Sequence, residues 1–235
     1  NGYPITDINK IPERFQRNKP GTDIYIMGID TTDRDGIYRE MIEAVLRNFW
    51  MSIEAKKLEV KIHDTEINHT TIPTLMEKYF PEEHETVKRE KYYNPKPYWN
   101  AVRYAGSDSK HIVIRESLPI IGDVTFYALI SKKPTDKILY MRKPRMLVKA
   151  RRTQSSNGFY GIFICDDPKG NEYLRETENP AHDEWKSSNW RKDGRIVPKG
   201  REAIDDVDKF IISVMERMFS NQGSDVQQIQ GLEDF

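Results

Sequence analysis

The sequence predicts an α+β fold in which a mixed, mostly antiparallel sheet is layered against helices. Two observations carry that expectation. Apolar residues recur every three to four positions at both ends of the chain, in Ile37, Met41, Ile42, Val45, Phe49 and Ile53 and again in Ile204, Val207, Ile211, Val214, Met215 and Met218. Such spacing places them on one face of a helix. Between Lys110 and Cys165 the pattern changes to short β-branched and aromatic runs separated by turn residues such as Lys133-Pro134 and Asn157-Gly158. Those runs read as strands, and helices that bracket a run of strands point to an α+β domain rather than an alternating one.

The elements follow in order. Asn1 to Pro20 contains three prolines and no periodicity, so it reads as an extended leader, and Gly21 to Asp30 reads as a strand bounded by glycine and a polar run. A helix is expected from Ile37 to Ile53, then a half-buried strand over Leu58 to Ile62 with Leu58, Val60 and Ile62 inward. A short helix spans Thr71 to Phe80 and stops at Pro81, and the charged, proline-rich stretch Pro81 to Asn100 reads as a surface excursion. Strands follow at His111 to Ile114, Val124 to Ile130, Ile138 to Met141, Met146 to Lys149 and Phe159 to Cys165. Asp166 to Lys199 reads as irregular, Arg201 to Phe219 as the closing helix, and 220–235 as a polar, flexible tail.

Composition narrows the function classes. The 235 residues hold 37 Lys+Arg and 37 Asp+Glu, a net charge of zero, which excludes a uniformly basic nucleic-acid coat or an acidic tail protein. No apolar run approaches the roughly 20 residues of a spanning helix, so no membrane partner is expected and a cytoplasmic location is the default. The single cysteine, Cys165, lies in an apolar run and reads as a buried hydrophobe. The zero is segmental: from Lys132 to Arg152 nine basic residues meet one acid, Asp136, a local net charge of +8. The segment reads either as a solvated face or as a surface for phosphate oxygens, with Arg145, Arg151 and Arg152 the candidates if the phosphates belong to nucleic acid.

Signatures of independent catalysis are missing, including a phosphate-binding loop and the zinc-protease and hydrolase motifs. His63 and His69, with Asp64 and Glu66, show no recognised ligand spacing, so no metal is expected. Glu178, His182, Asp183 and Trp185 crowd acid, imidazole and indole into eight residues. This reads as a proline-initiated turn anchored to the core by His182 and Trp185, or as a motif of another role. A hydrolase centred on His182, Asp183 and Glu178 lacks an assignable nucleophile.

Several runs resemble the GHKL ATPases. Gly21-Thr22-Asp-Ile-Tyr-Ile is similar to the strand that closes their nucleotide-binding domain, and the helix ending Asn48-Phe49-Trp50-Met-Ser-Ile53 followed by Leu58 to Ile62 is similar to the opening of the middle domain in the ninety-kilodalton heat-shock chaperones. Ile138-Leu-Tyr-Met-Arg-Lys143 is similar to a strand of that domain, and Gly161 to Asp167 with Tyr173-Leu-Arg-Glu176 to the segment that presents an arginine to the ATP γ-phosphate. Leu174 to Trp185 also resembles a run in a bacterial branch of GHKL-type ATP-binding proteins. The family's Mg-binding Glu-x-x-x-Asn helix and glycine-rich lid have no counterpart, and Asp33-Arg-Asp-Gly36 lacks the second glycine.

The resemblance therefore implies the portion after the ATP pocket: residues 1–30 as leader and last strand of an ATPase domain, and 31–219 as a transducer domain with a fold like the second domain of a ribosomal protein. It implies Arg175 as the catalytic cation toward the γ-phosphate and Thr22 as a nucleotide contact, and the basic segment adds Lys149 as a further catalytic cation with Arg142 and Lys143 as nucleotide contacts. ATP and Mg are expected only in the intact protein, and this portion alone is expected to be inactive. The implied partner is the ATPase domain, with a homodimer and nucleic acid left open.

Overall fold

The computed structural model describes residues 7–16, 32–81, 93–131, 137–153, 158–189, 191–192, 195–196 and 198–219. The chain divides into two compact units, Asn1–Ile37 and Tyr38–Phe235. In the first, two short 3-10 turns, Ile8–Lys10 and Glu13–Phe15, are described. The expected strand over 21–30, Thr22 with it, and the tail 220–235 lie outside the described residues.

Helix α1 runs over Arg34–Glu54 and begins earlier than the apolar spacing suggests. Asp33 is the reason: its carboxylate accepts the Gly36 N–H at 2.9 Å, satisfying an amide that has no partner inside the helix. The expected face largely packs inward, with Val45 and Phe49 partly buried against the core. Ile42, Leu46, Trp50 and Ile53 are buried, whereas Met41 is 48% exposed. Trp50, fully buried, has the largest side chain on the helix.

A two-stranded hairpin follows, β1 (Val60–Ile62) with β2 (Thr65–Ile67), and then α2 (Ile72–Tyr79). The expected strand over Leu58 to Ile62 is thus shortened to three residues. The surface excursion is corrected within the described part of its range: Lys96–Arg103 forms helix α3, which buries Tyr98, Trp99 and Ala101. Pro97 sits in its first turn, where a missing N–H costs nothing.

The central sheet has the order β3 (His111–Leu118), β4 (Gly122–Ile130), β7 (Phe159–Cys165), β5 (Lys137–Arg142), β6 (Met146–Arg152). Neighbours are antiparallel except β5 and β7, which run parallel. This is the mixed, mostly antiparallel sheet that the sequence predicts. Alternate residues of β7 point to opposite cores. Phe159, Phe163 and Cys165 join α4 (Pro168–Glu176) and α5 (Pro198–Phe219), while Ile162 and Ile164 join α1 to α3. The sheet is therefore covered on both faces, which explains the nearly unbroken apolar run of β7.

Helix α4 corrects the irregular reading of 166–199. Asp167 accepts the N–H groups of Lys169 at 2.8 Å and Gly170 at 3.0 Å, and Pro168 opens the first turn. An aspartate followed by proline is a helix start in sequence as well. Gly170 lets α4 lie against the β3–β4 turn, since a Cβ there would run into the Ile121 carbonyl oxygen. Two further short strands, β8 (Arg191–Lys192) and β9 (Arg195–Ile196), precede α5.

Candidate functional site

After α4 the chain folds back on itself. Glu178 and Trp185 form an antiparallel bridge, the Lys186 N–H donates to the Thr177 carbonyl at 2.8 Å, and the Asn179 N–H donates to the Glu184 carbonyl at 3.2 Å. Asn179-Pro180 initiates the turn that closes this small hairpin, with the His182 N–H donating to the Asn179 carbonyl at 2.9 Å. His182 takes a left-handed backbone (φ 55). Asn179 braces the tip by accepting the Asp183 N–H at 3.1 Å and donating to its carboxylate at 2.6 Å.

The hairpin has one anchor. Trp185 is 1% exposed and packs edge-on against Tyr140 and Phe163, with centroids 6.1 and 6.3 Å away. His182 does not share that role, because its side chain is 70% exposed.

Between the two lies the Glu178 carboxylate, its side chain 2% exposed. It accepts from Arg142 Nε at 2.5 Å and Nη2 at 2.7 Å, from Trp185 Nε1 at 3.2 Å, and pairs with His182 Nδ1 at 2.8 Å. Burial pushes the Glu178 carboxyl up. Hydrogen bonds from Arg142, His182 and Trp185, with the Arg142 charge, more than offset that and hold it below the ordinary glutamate value. The site is thus built around an ionised, enclosed carboxylate.

Arg142 also reaches the other way. Its Nη1 donates to the Lys143 carbonyl at 2.6 Å and to Asn171 Oδ1 at 3.3 Å, tying the β5–β6 turn to α4. That turn is braced throughout. The Lys143 N–H donates to the Cys165 carbonyl at 3.2 Å, Ser52 donates to the Pro144 carbonyl, and Arg145 forms a two-pronged pair with Asp166 at 3.1 and 2.5 Å. Lys143 itself is exposed, and its side chain forms no ion pair among the described residues. Arg175 lies one helical turn beyond Asn171, on the same side of α4, and among the described residues it pairs with the exposed Glu176 at 3.0 Å.

The rest of the basic segment is less open than its charge suggests. Arg151 stands 3.9 Å from Asp208, and Lys149 lies 5.0 Å from the ring centroids of both Tyr140 and Trp185. Burial lowers the Lys149 amine to about 8, and Arg151 adds to the effect while Asp208 and Glu184 oppose it. A lysine so lowered is a liability below about pH 8, and the cost is relieved as pH rises toward the ordinary lysine value near ~10.4. Lys149→Met is therefore expected to stabilise the protein at pH 7 by about 1–3 kcal/mol and to lose that advantage by pH 10, measured as denaturation midpoints. Arg152 is exposed and forms no ion pair among the described residues, and Lys132 and Lys133 lie outside them.

The other candidates separate. His63 pairs with Asp64 at 2.8 Å and His69 meets the Glu54 carbonyl at 3.0 Å. Among the described residues no group of three or more His, Cys, Asp or Glu is placed to hold a metal ion, and no helix is long and apolar enough to cross a membrane. Cys165 is fully buried, and burial pushes its thiol up to about 12.

Sequence reasoning missed Asn171, Ser52, Ser188 and Asn189. The last two line a depression of about 490 Å³ together with Glu178, Asn179, Pro180 and His182. No signal marked them, because their roles depend on contacts distant in the chain. Comparison with protein-family models, with curated proteins and with solved structures gave no match.

Proposed function

We propose that this chain is the transducer portion of a GHKL-type ATPase, in which Lys143 and Arg175 meet the terminal phosphate of a nucleotide held by a separate domain. The reading rests on four motif resemblances in the family's order, with a two-sided mixed sheet compatible with a transducer fold. The observation that carries it furthest is the placement of Lys143. An exposed lysine stands on a turn held by Arg142, Ser52 and Asp166, with Arg175 on the side of α4 that faces Arg142 through Asn171.

Phosphoryl transfer builds negative charge on the terminal oxygens, and a cation fixed in advance stabilises that charge without reorganising. Lys143 and Arg175 fit this anionic end. Arg142 is a positioning residue, since all three of its guanidinium nitrogens are already committed. Lys149 is enclosed by two rings and acts from behind the site.

Steady-state turnover of the intact polypeptide tests the proposal. Lys143→Ala is expected to lower kcat about 10²-fold with KM within about threefold, the pattern of a contact made in the transition state. An unchanged kcat, or an intact polypeptide with no ATP turnover, contradicts it. The nucleic-acid alternative retains Arg145, Arg151 and Arg152, of which the first two face carboxylates. Duplex binding with a log-log salt slope near about −4 to −5 would favour that alternative.

A further inference from the structure

We propose that the depression beside His182 is a second, hydrolytic site, in which His182 acts as general base toward water on a small uncharged carboxylic ester. The first support is the protonation pattern forced on the imidazole. Ionised Glu178 can only accept hydrogen bonds, so the Nδ1 atom 2.8 Å from it carries the hydrogen. In the neutral imidazole Nε2 is then the nitrogen that carries the lone pair, on a side chain that is 70% exposed.

The orientation is fixed from behind. Glu178 is held by Arg142 and Trp185, and the left-handed His182 backbone is braced by Asn179. A buried acid orienting an imidazole that lines an open depression is an arrangement suited to general-base catalysis.

The depression, about 490 Å³, falls in the range of small-molecule sites. It also carries donors for a carbonyl oxygen. Asn179 Nδ2 uses one N–H on Asp183 and Asn189 Nδ2 one on the Thr177 carbonyl, so among the described residues each amide keeps a second. Among the described residues the cations beside the depression are matched by acids. Arg142 is matched by Glu178, Lys186 by Glu184 at 2.8 Å, and Asp183 is left with its negative charge. An uncharged ester is the class that fits.

In the step, water gives a proton to Nε2 as its oxygen bonds to the carbonyl carbon. The tetrahedral adduct collapses with loss of the alkoxide, which takes the proton back from Nε2. Acid and alcohol leave, and the imidazole is restored.

The test uses the whole chain with p-nitrophenyl acetate as probe. Saturable hydrolysis is expected, with kcat/KM falling at least tenfold in His182→Gln, a surface change that leaves the core intact. Long-range nitrogen–proton NMR of labelled histidine adds a readout that needs no turnover: His182 is expected to carry its hydrogen on Nδ1. A rate linear in ester and unchanged in His182→Gln, or a hydrogen on Nε2, overturns the proposal.

Discussion

Trp185→Ala is expected to cost about 3–5 kcal/mol of stability, measured as a shift of the denaturant midpoint at constant slope. The indole is 1% exposed and fills the space between Tyr140, Phe163 and Lys149. Its removal leaves a cavity that sheet residues cannot close, because β5 and β7 are fixed by pairing on both sides. It also takes away the Nε1 donor 3.2 Å from Glu178. Trp185→Phe weights the two effects differently, since it keeps a six-membered ring and leaves a smaller cavity while losing the N–H. That variant is expected to cost about 1–3 kcal/mol. A loss under about 1 kcal/mol for the alanine variant would show that the hairpin is not anchored there.

Glu178→Ala is expected to be comparably severe, about 3–5 kcal/mol, for a different reason. The Arg142 guanidinium, whose side chain is 14% exposed, would stay enclosed without its counter-charge. Removing both partners as Arg142→Met with Glu178→Leu is expected to cost less than the sum of the single changes, because no charge is stranded. Acid provides an independent check. The folded-state carboxyl sits below its ordinary value, so its contribution is complete above the unfolded value near ~4.3 and is lost as pH falls through the lower folded one. The stability gap between the native protein and Glu178→Gln is expected to narrow below about pH 4. A gap that holds constant to pH 2 would contradict an ionised Glu178.

Much of the sheet was legible in the sequence because β-branched and aromatic runs between turns depend on local pattern alone. All five expected strands between Lys110 and Cys165 appear. The errors lie where long-range packing decides. Pro81 to Asn100 reads as a surface excursion because of its prolines and charges, yet Tyr98 and Trp99 go into the core. Met41 is apolar and correctly spaced, yet it is 48% exposed.

The candidate site was legible only as a cluster. Spacing brings Glu178 and His182 together across one turn, but nothing local pairs Arg142 with a glutamate 36 positions later. That pair gives the cluster its chemistry, by keeping a buried acid ionised. Asp167-Pro168 shows the opposite case, a local helix-start signal present in the sequence and decisive in the structure.

The proposed contact of the β5–β6 turn with a terminal phosphate predicts protection of that turn that depends on the nucleotide. Amide hydrogen exchange over residues 142–146 of the intact polypeptide, compared between ADP and a non-hydrolysable ATP analogue, tests it directly. Slower exchange of that turn with the triphosphate alone is the expected result, and equal exchange with the two nucleotides would contradict it.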